Sequence, residues 1–138
     1  MIATKSRQVN KKVQELLDRG LICKSLIPYD VPTKLKPKKH GGWRLCTNSE
    51  ATNRIVIKYR FPLLRTNDLM DNLSGAKCFS NINLKSGYHH IQISEGDEWK
   101  TMLTMKDGLY EWLEIPFGLI NSPRTFMRFM NEVFKPFL

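Results

Sequence analysis

At 138 residues the chain is long enough to bury one core and too short for two comfortable ones. Hydrophobic residues at 41% and charged residues at 25% place it among globular sequences and exclude a disordered, repetitive or collagenous one. The formal net charge of +9, from 22 Lys+Arg against 13 Asp+Glu, favours association with polyanions by counterion release.

Val9, Val13, Leu16, Leu17 and Leu21 recur at helical spacing, with Lys11, Lys12, Glu15, Asp18 and Arg19 on the other side, so a helix of about three turns is predicted, stopped by Gly20. Pro28-Tyr29 and Val31-Pro32 forbid helix and lead into a basic strand, Thr33 to Lys39. His40-Gly41-Gly42 is a tight turn, and Trp43 to Thr47 returns as a second strand. Cations crowd this region: Lys34, Lys36, Lys38, Lys39, Arg44, Arg54, Lys58, Arg60 and Arg65 are opposed only by Glu50. Composition alone leaves two readings of segment 34–65, a solvated basic face or a contact with RNA or DNA. Lys38 or Lys39 together with Arg44 can hold a triphosphate, since Arg offers a fork of donors and Lys a point charge.

A short helix is predicted from Thr66 to Leu73, ended by Gly75. Cys78 to Leu84 is apolar and lies between Gly75 and Gly87, the pattern of a strand buried on both faces. Ile91-Gln92-Ile93 and an exposed acidic turn follow. Lys100 to Met105 and Leu109 to Ile115 flank Asp107-Gly108, a dipeptide suited to a type I′ hairpin. Pro116-Phe117-Gly118-Leu119 is a loop; then Ser122 as cap and Pro123 at the first helical position open a helix. Its stripe of Phe126, Phe129, Met130, Val133 and Phe134 reads as core, and the apolar tail to Leu138 creates the expectation that something further covers it.

Cys23, Cys46 and Cys78 are odd in number, widely spaced and without a Cys-x-x-Cys pair. They exclude a disulfide framework and are expected to be buried thiols; no metal site is predicted, and His89 and His90 lack the further ligands that zinc requires. No apolar run reaches the roughly 18 residues of a spanning helix, and the N-terminus lacks the apolar core of a secretory signal. The expectation is an intracellular protein, neither secreted nor membrane-spanning. The basic residues Lys5, Arg7, Lys11 and Lys12 leave a mitochondrial origin open.

The run Phe79-Ser-Asn-Ile-Asn83-Leu-Lys-Ser-Gly-Tyr-His89 resembles the first catalytic block of gypsy-type retrotransposon reverse transcriptases. Further matching stretches are Leu-Leu-x-x-Gly-Leu-Ile (16–22), Lys38-Lys39 with Gly42-Trp43-Arg44, Phe61-Pro62-Leu63, Leu73-Ser-Gly-Ala-Lys77, Lys100-Thr101, Gly108-x-Tyr110-Glu111 and Pro116-Phe-Gly-Leu-x-Asn-Ser-Pro123. Together they cover the chain from about Val13 to Leu138. The resemblance implies an α+β fold, a partial polymerase fingers and palm, with an antiparallel sheet and helices packed on one face. Residues 1–138 would form one truncated domain: about 8–66 fingers-like, about 67–138 partial palm without the Tyr-x-Asp-Asp hairpin.

By the same resemblance Tyr88 takes the position that screens the sugar, Phe117 lies near the nucleotide, and Arg44 with Lys38 or Lys39 meets the phosphates. Gly118, Asn121 and Pro123 belong to the block lying under nucleotide and template, although Asn121 and Ser122 also read as helix-capping residues. The family carries out phosphoryl transfer with Mg²⁺ held by aspartates, one of them at the position of Asn83. An amide there, and Asn48-Ser-Glu-Ala-Thr-Asn53 where the family has Asp-Tyr-Arg-x-Leu-Asn, predict a non-functional metal position and no Mg²⁺ bound by this chain. Three readings follow. The chain is a reverse-transcriptase homologue active only with a complementing polymerase chain, or a basic module binding RNA or DNA without chemistry, or an inert retroelement remnant. Oligomeric state is left open.

Overall fold

The computed structural model describes residues 2–28, 31 and 33–137; Tyr29 and Pro32, named above as helix-forbidding residues, lie outside the described residues. Helix α1 (Ile2–Asp18) starts earlier than predicted and stops where Gly20 takes φ +66°, in the left-handed region. The Gly20 amide donates to the Leu17 carbonyl at 2.9 Å and the Leu21 amide to the Leu16 carbonyl at 3.0 Å. That pair of bonds satisfies carbonyls the helix would otherwise leave unpaired, and it packs Leu21 back against Leu16.

Strand β1 (Ile22–Lys24) follows at once and was not foreseen, because three residues carry no periodic signal. It runs antiparallel to β5 (Gly108–Trp112), with Ile22 opposite Trp112 and Cys23 opposite Glu111; β5 pairs on its other edge with β4 (Leu103–Met105). Val13 and Leu16 of α1 pack on Leu21, Ile22, Leu103, Tyr110 and Trp112, and this is the core. The apolar register differs from a simple reading of the Leu109 to Ile115 alternation, for Tyr110 and Trp112 are the buried pair. Thr101 ties the strand down from outside the ladder: its hydroxyl donates to the Glu98 carbonyl at 2.7 Å and accepts from the Trp112 amide at 3.1 Å.

The β4–β5 hairpin forms as expected, with a different turn. Met105 pairs with Gly108, so Lys106 and Asp107 are the central residues, and neither has positive φ. A type I′ turn is therefore absent, and the glycine serves at the closing position with φ +148°.

The basic hairpin is a separate two-stranded sheet, β2 (Thr33–Pro37) and β3 (Trp43–Thr47), turned by Gly41 and Gly42 at φ +81° and +82°. Its register sets Leu35 opposite Leu45 on one face and Lys36 opposite Arg44 on the other. Helix α2 (Glu50–Ile55) was not expected; Ser49 precedes it, and Thr52 is buried with its hydroxyl donating to the Lys100 carbonyl at 2.7 Å. Helix α3 (Thr66–Asn72) matches the predicted short helix but buries none of its residues.

Three expectations are corrected here. Residues 76–84 form no strand: no ladder partner lies beside them among the described residues, and Phe79, Ile82 and Leu84 are exposed. An extended segment becomes a strand only when a neighbour takes up its N–H and C=O groups. Helix α4 (Ser122–Phe134) has Asn121 as N-cap and Pro123 one position later than predicted, and its Phe126, Phe129, Met130 and Phe134 are half-buried with Val133 exposed. Phe126 and Met130 of the stripe line a recess with residues 82–84, residues 86–88 and Phe117. Cys23 and Cys46 are half-buried and Cys78 is exposed, against the expectation of three buried thiols; all three are free.

Candidate functional site

Behind β5 the chain forms the loop Pro116–Ile120, and the turn Ser86–His90 folds against it. Ser86 adopts φ 54°, unusual for a residue with a side chain. Gly87 follows, and a Cβ there would lie 3.0 Å from the Phe126 ring, so a larger residue would push the ring back by a few tenths of an ångström. Tyr88 is consequently held edge-on to Phe117 at 5.0 Å and to Phe126 at 5.3 Å. These residues line an open cleft of about 360 Å³ with Ile82, Asn83, Leu84, Ser86 and Met130. Arg44 reaches over Phe117 from β3, its guanidinium carbon 5.8 Å from the ring centroid.

Of the residues singled out from sequence, Asn83, Tyr88 and Phe117 line this one cleft, and Arg44 touches it only through the Phe117 ring. Lys38 and Lys39 do not line the cleft; the Lys38 amide closes the hairpin by donating to the Gly42 carbonyl at 3.0 Å, and both side chains are exposed at the turn. Pro123 is exposed on the first turn of α4. Gly118 takes φ +102°, and a Cβ built on it would lie 3.1 Å from the Ser49 hydroxyl oxygen.

The loop carrying Phe117 is fixed by Asn53 and Asn121, of which the sequence singled out only Asn121, and for other roles. Asn53 donates its amide to the Gly118 carbonyl at 3.1 Å and accepts from the Ile120 amide at 2.9 Å. Asn121 does the converse, donating to the Ile57 carbonyl at 2.8 Å and accepting from the Tyr59 amide at 2.9 Å. Asn121 makes no side-chain cap bond to its own helix, so its expected capping role is replaced by this one. Arg124 and Arg128 then hold Tyr59, by its carbonyl at 2.7 Å and its hydroxyl at 2.9 Å. The result is a second, cationic recess of about 690 Å³ lined by Lys58, Arg60, Asn121 and Arg128, with no acidic residue among the described ones that line it.

Under the cleft, His89 stacks on Trp112 at 5.7 Å, and its Nδ1 lies 3.9 Å from Glu114 Oε2, beyond hydrogen-bond reach. Both atoms, and Trp112 Nε1, are buried without a partner. Burial holds His89 below the usual imidazole range, with Arg19, His90 and Lys12 adding to the effect, and burial pushes the Glu114 carboxyl up. Burial thus works against the charged form of each group.

A divalent cation such as Mg²⁺ is held by anionic oxygen and only reluctantly by an amide. The cleft offers the Asn83 amide and the Ser86 hydroxyl but no carboxylate, and no three His, Cys, Asp or Glu side chains gather among the described residues. These donors do not fit such an ion. No helix among the described residues is long and apolar enough to cross a membrane.

Residues 36–138 match the family model described as reverse transcriptase (RNA-dependent DNA polymerase). The chain belongs to the reverse transcriptase family. It is 37% identical over 136 residues to the Retrovirus-related Pol polyprotein from transposon 297 of Drosophila melanogaster, covering 95% of this chain and 13% of that one. It is 38% identical over 95 residues to an RNA-directed DNA polymerase homolog of Oenothera berteroana, covering 69% of this chain and 67% of the relative. Against the foamy viral protease-reverse transcriptase in complex with double-stranded DNA the TM-score is 0.82 at 25% identity, over 94% of this chain and 23% of the other. A second such structure, with an RNA/DNA hybrid, shares the fold at TM-score 0.75 and 20% identity, over 99% and 18%. The gypsy-type resemblance and the α+β fingers-and-palm class thus hold, with the strands divided between two sheets. The chain is an RNA-directed DNA polymerase homologue, spanning about an eighth of the length of the transposon polyprotein. The reverse transcriptase family generally uses divalent metal ions, which sets the donor-poor cleft apart.

Proposed function

We propose that this reverse transcriptase homologue keeps the family's nucleic-acid and nucleotide surface and does not by itself join nucleotides. Residues of about 8–66 would act as fingers and about 67–138 as a partial palm. The observation that carries this is the cleft lined by Asn83, Tyr88 and Phe117 without a carboxylate among its described lining residues, with Arg44 lying over the Phe117 ring. Arg44 would meet phosphate, Phe117 and Tyr88 would lie against base and sugar, and Gly118, Asn121 and Pro123 would lie along the template. Losing about 4 kcal/mol of metal-borne transition-state stabilisation slows a reaction roughly a thousandfold.

RNA or DNA would be held by segment 34–65, joined by Arg128 at the cationic recess. A complementing polymerase chain that brings carboxylates is the condition under which this reading allows nucleotidyl transfer. The test has two arms. Purified protein is given poly(rA) with an oligo(dT) primer and Mg²⁺ or Mn²⁺, and binding of a labelled RNA/DNA duplex is followed across salt concentrations. No extension and micromolar or tighter binding that falls steeply with salt are expected. Heat-labile extension would overturn the first half, and salt-independent or absent binding the second. The inert-remnant reading is favoured by the exposed apolar side chains of Phe79, Ile82, Met70 and Val133; a cooperative melt of the isolated chain would remove that support.

A further inference from the structure

One residue after Tyr88 the same turn carries His89, whose ring lies flat on Trp112, with 5.7 Å between centroids and 11° between planes, and edge-on to Phe117 at 6.2 Å. Its Nδ1 is 3.9 Å from Glu114 Oε2; both atoms are shielded from solvent, and neither has a hydrogen-bond partner among the described residues. A nitrogen–oxygen hydrogen bond spans about 2.7–3.2 Å, so the pair stands about 1 Å short of one. That separation fits two acceptors held apart, as a carboxylate and an imidazole protonated only on Nε2 are, and does not fit a donor beside its acceptor.

The missing element is a single proton. Placed on Oε2 or on Nδ1, it supplies the donor that both atoms lack, and the bond forms as O–H···N or as N–H···O. From α1 the pair is faced by Lys12 and Arg19, which Glu15 engages at 2.7 and 3.8 Å; from its own turn by His90; and from β3 by Arg44 across the Phe117 ring. Strand alternation puts Tyr110 on the face of β5 that carries Trp112 and Glu114, and α4 meets the turn through Phe126. Burial raises the Glu114 carboxyl against the opposing pull of His90 and Arg19, so the first proton enters above the ordinary 4.5. Burial, Arg19, His90 and Lys12 all lower His89, so a second proton enters only at lower pH.

Backbone bonds decide what moves. The Ile93 amide donates to the Leu113 carbonyl and the Ile115 amide to the Ile91 carbonyl, both at 2.9 Å, which pins the chain on either side of Glu114. The turn is bonded mainly to itself, the His89 amide donating to the Ser86 carbonyl at 2.9 Å and the Ile91 amide to the Tyr88 carbonyl at 3.2 Å. It therefore shifts as a unit, and a ring lying flat on Trp112 slides across the indole without opening a gap. We propose that His89 and Glu114 form a proton-operated latch: uptake of one proton from solvent joins them, draws the turn inward and changes how Tyr88 stands against Phe117 and Phe126, so that the shape of the Asn83 cleft depends on pH. The latch holds whether or not that cleft binds a nucleotide.

The test is an NMR titration of the full chain carrying ¹⁵N-labelled histidine and ¹³C-labelled methionine methyl groups, with His40→Gln and His90→Gln assigning the His89 ring by elimination. Met130 lines the cleft, and Met105, in the β4–β5 hairpin, does not. As pH falls from 7.5 toward 4.5, His89 Nδ1 should pass through one transition, with the Met130 methyl shift following at the same midpoint and Met105 still. Glu114→Gln offers Nδ1 an amide proton that does not titrate, so the Met130 transition should be lost. A Met130 shift that is flat, or that has a midpoint separate from that of His89, would overturn the proposal. So would a Met130 transition that survives in Glu114→Gln, or Met105 moving together with Met130, which would mean that acid loosens the whole fold.

Discussion

Asn53 and Asn121 clasp one junction from opposite sides: each side-chain amide spans two backbone groups of the segment that the other residue borders. The bonds link residues 62 to 67 positions apart in the chain, so they fix the Phe117 loop against the stretch that follows α2. Truncating either residue leaves one backbone N–H and one C=O without a partner. Asn53→Ala and Asn121→Ala should each cost about 0.5–1.5 kcal/mol, because three of the four bonds are exposed and water can take the place of the lost amide. Because both act on the same junction, the double variant should lose less than the two single losses combined. Urea unfolding of the four proteins measures this, and strict additivity would show that the two clasps act independently.

Gly118 sits at φ +102° with the Ser49 hydroxyl close by. Gly118→Ala should destabilise by about 1–3 kcal/mol through backbone strain and the 3.1 Å approach together. Adding Ser49→Gly removes the contact and leaves the strain, so thermal melts of the double variant should recover part of the loss. Full recovery would mean that the backbone conformation costs nothing there.

Arg44 and Phe117 should separate in a salt titration of nucleic-acid binding. Arg44→Ala removes one cation and should lower the log–log salt slope by about 1. Phe117→Ala removes a stacking face and should weaken binding by about 1–3 kcal/mol with the slope unchanged. Fluorescence anisotropy of a labelled duplex reads both. Equal slopes in all three proteins would place Arg44 away from the phosphates.

The His89–Glu114 contact carries a pH dependence of two signs. Glu114 has its folded-state pKa raised above the unfolded value of 4.5 by burial, so its contribution to stability is complete below pH 4.5 and is lost as pH rises through the raised value. His89 is lowered below 6.5 by burial, so its contribution is present above pH 6.5 and is lost as pH falls through the lowered value. Glu114→Gln keeps the shape and removes the ionisation. It should raise the melting temperature at pH 7.5, and the gain should shrink toward pH 4.5 as the wild-type carboxyl takes up its proton. A gain independent of pH would show that Glu114 is not held against ionisation.

Sequence by itself determined the local elements whose causes are local. The Gly20 stop, the Gly41-Gly42 hairpin, the short α3 and the opening of α4 rest on backbone preferences that a few neighbouring residues impose. Family and class were also legible, because the spaced runs from Leu16 to Pro123 survive independently of packing, and so was the absence of an acid at Asn83. Tertiary structure decided what depends on a partner distant in the chain. The apolar run 78–84 has the composition of a buried strand and lacks the neighbour that would make it one; α4 has a core stripe and only a partial cover. Strand β1 exists because β5 lies beside it, and the asparagine clasps exist because two loops meet. Burial and backbone pairing are properties of two surfaces together, and a single stretch of residues specifies only one of them.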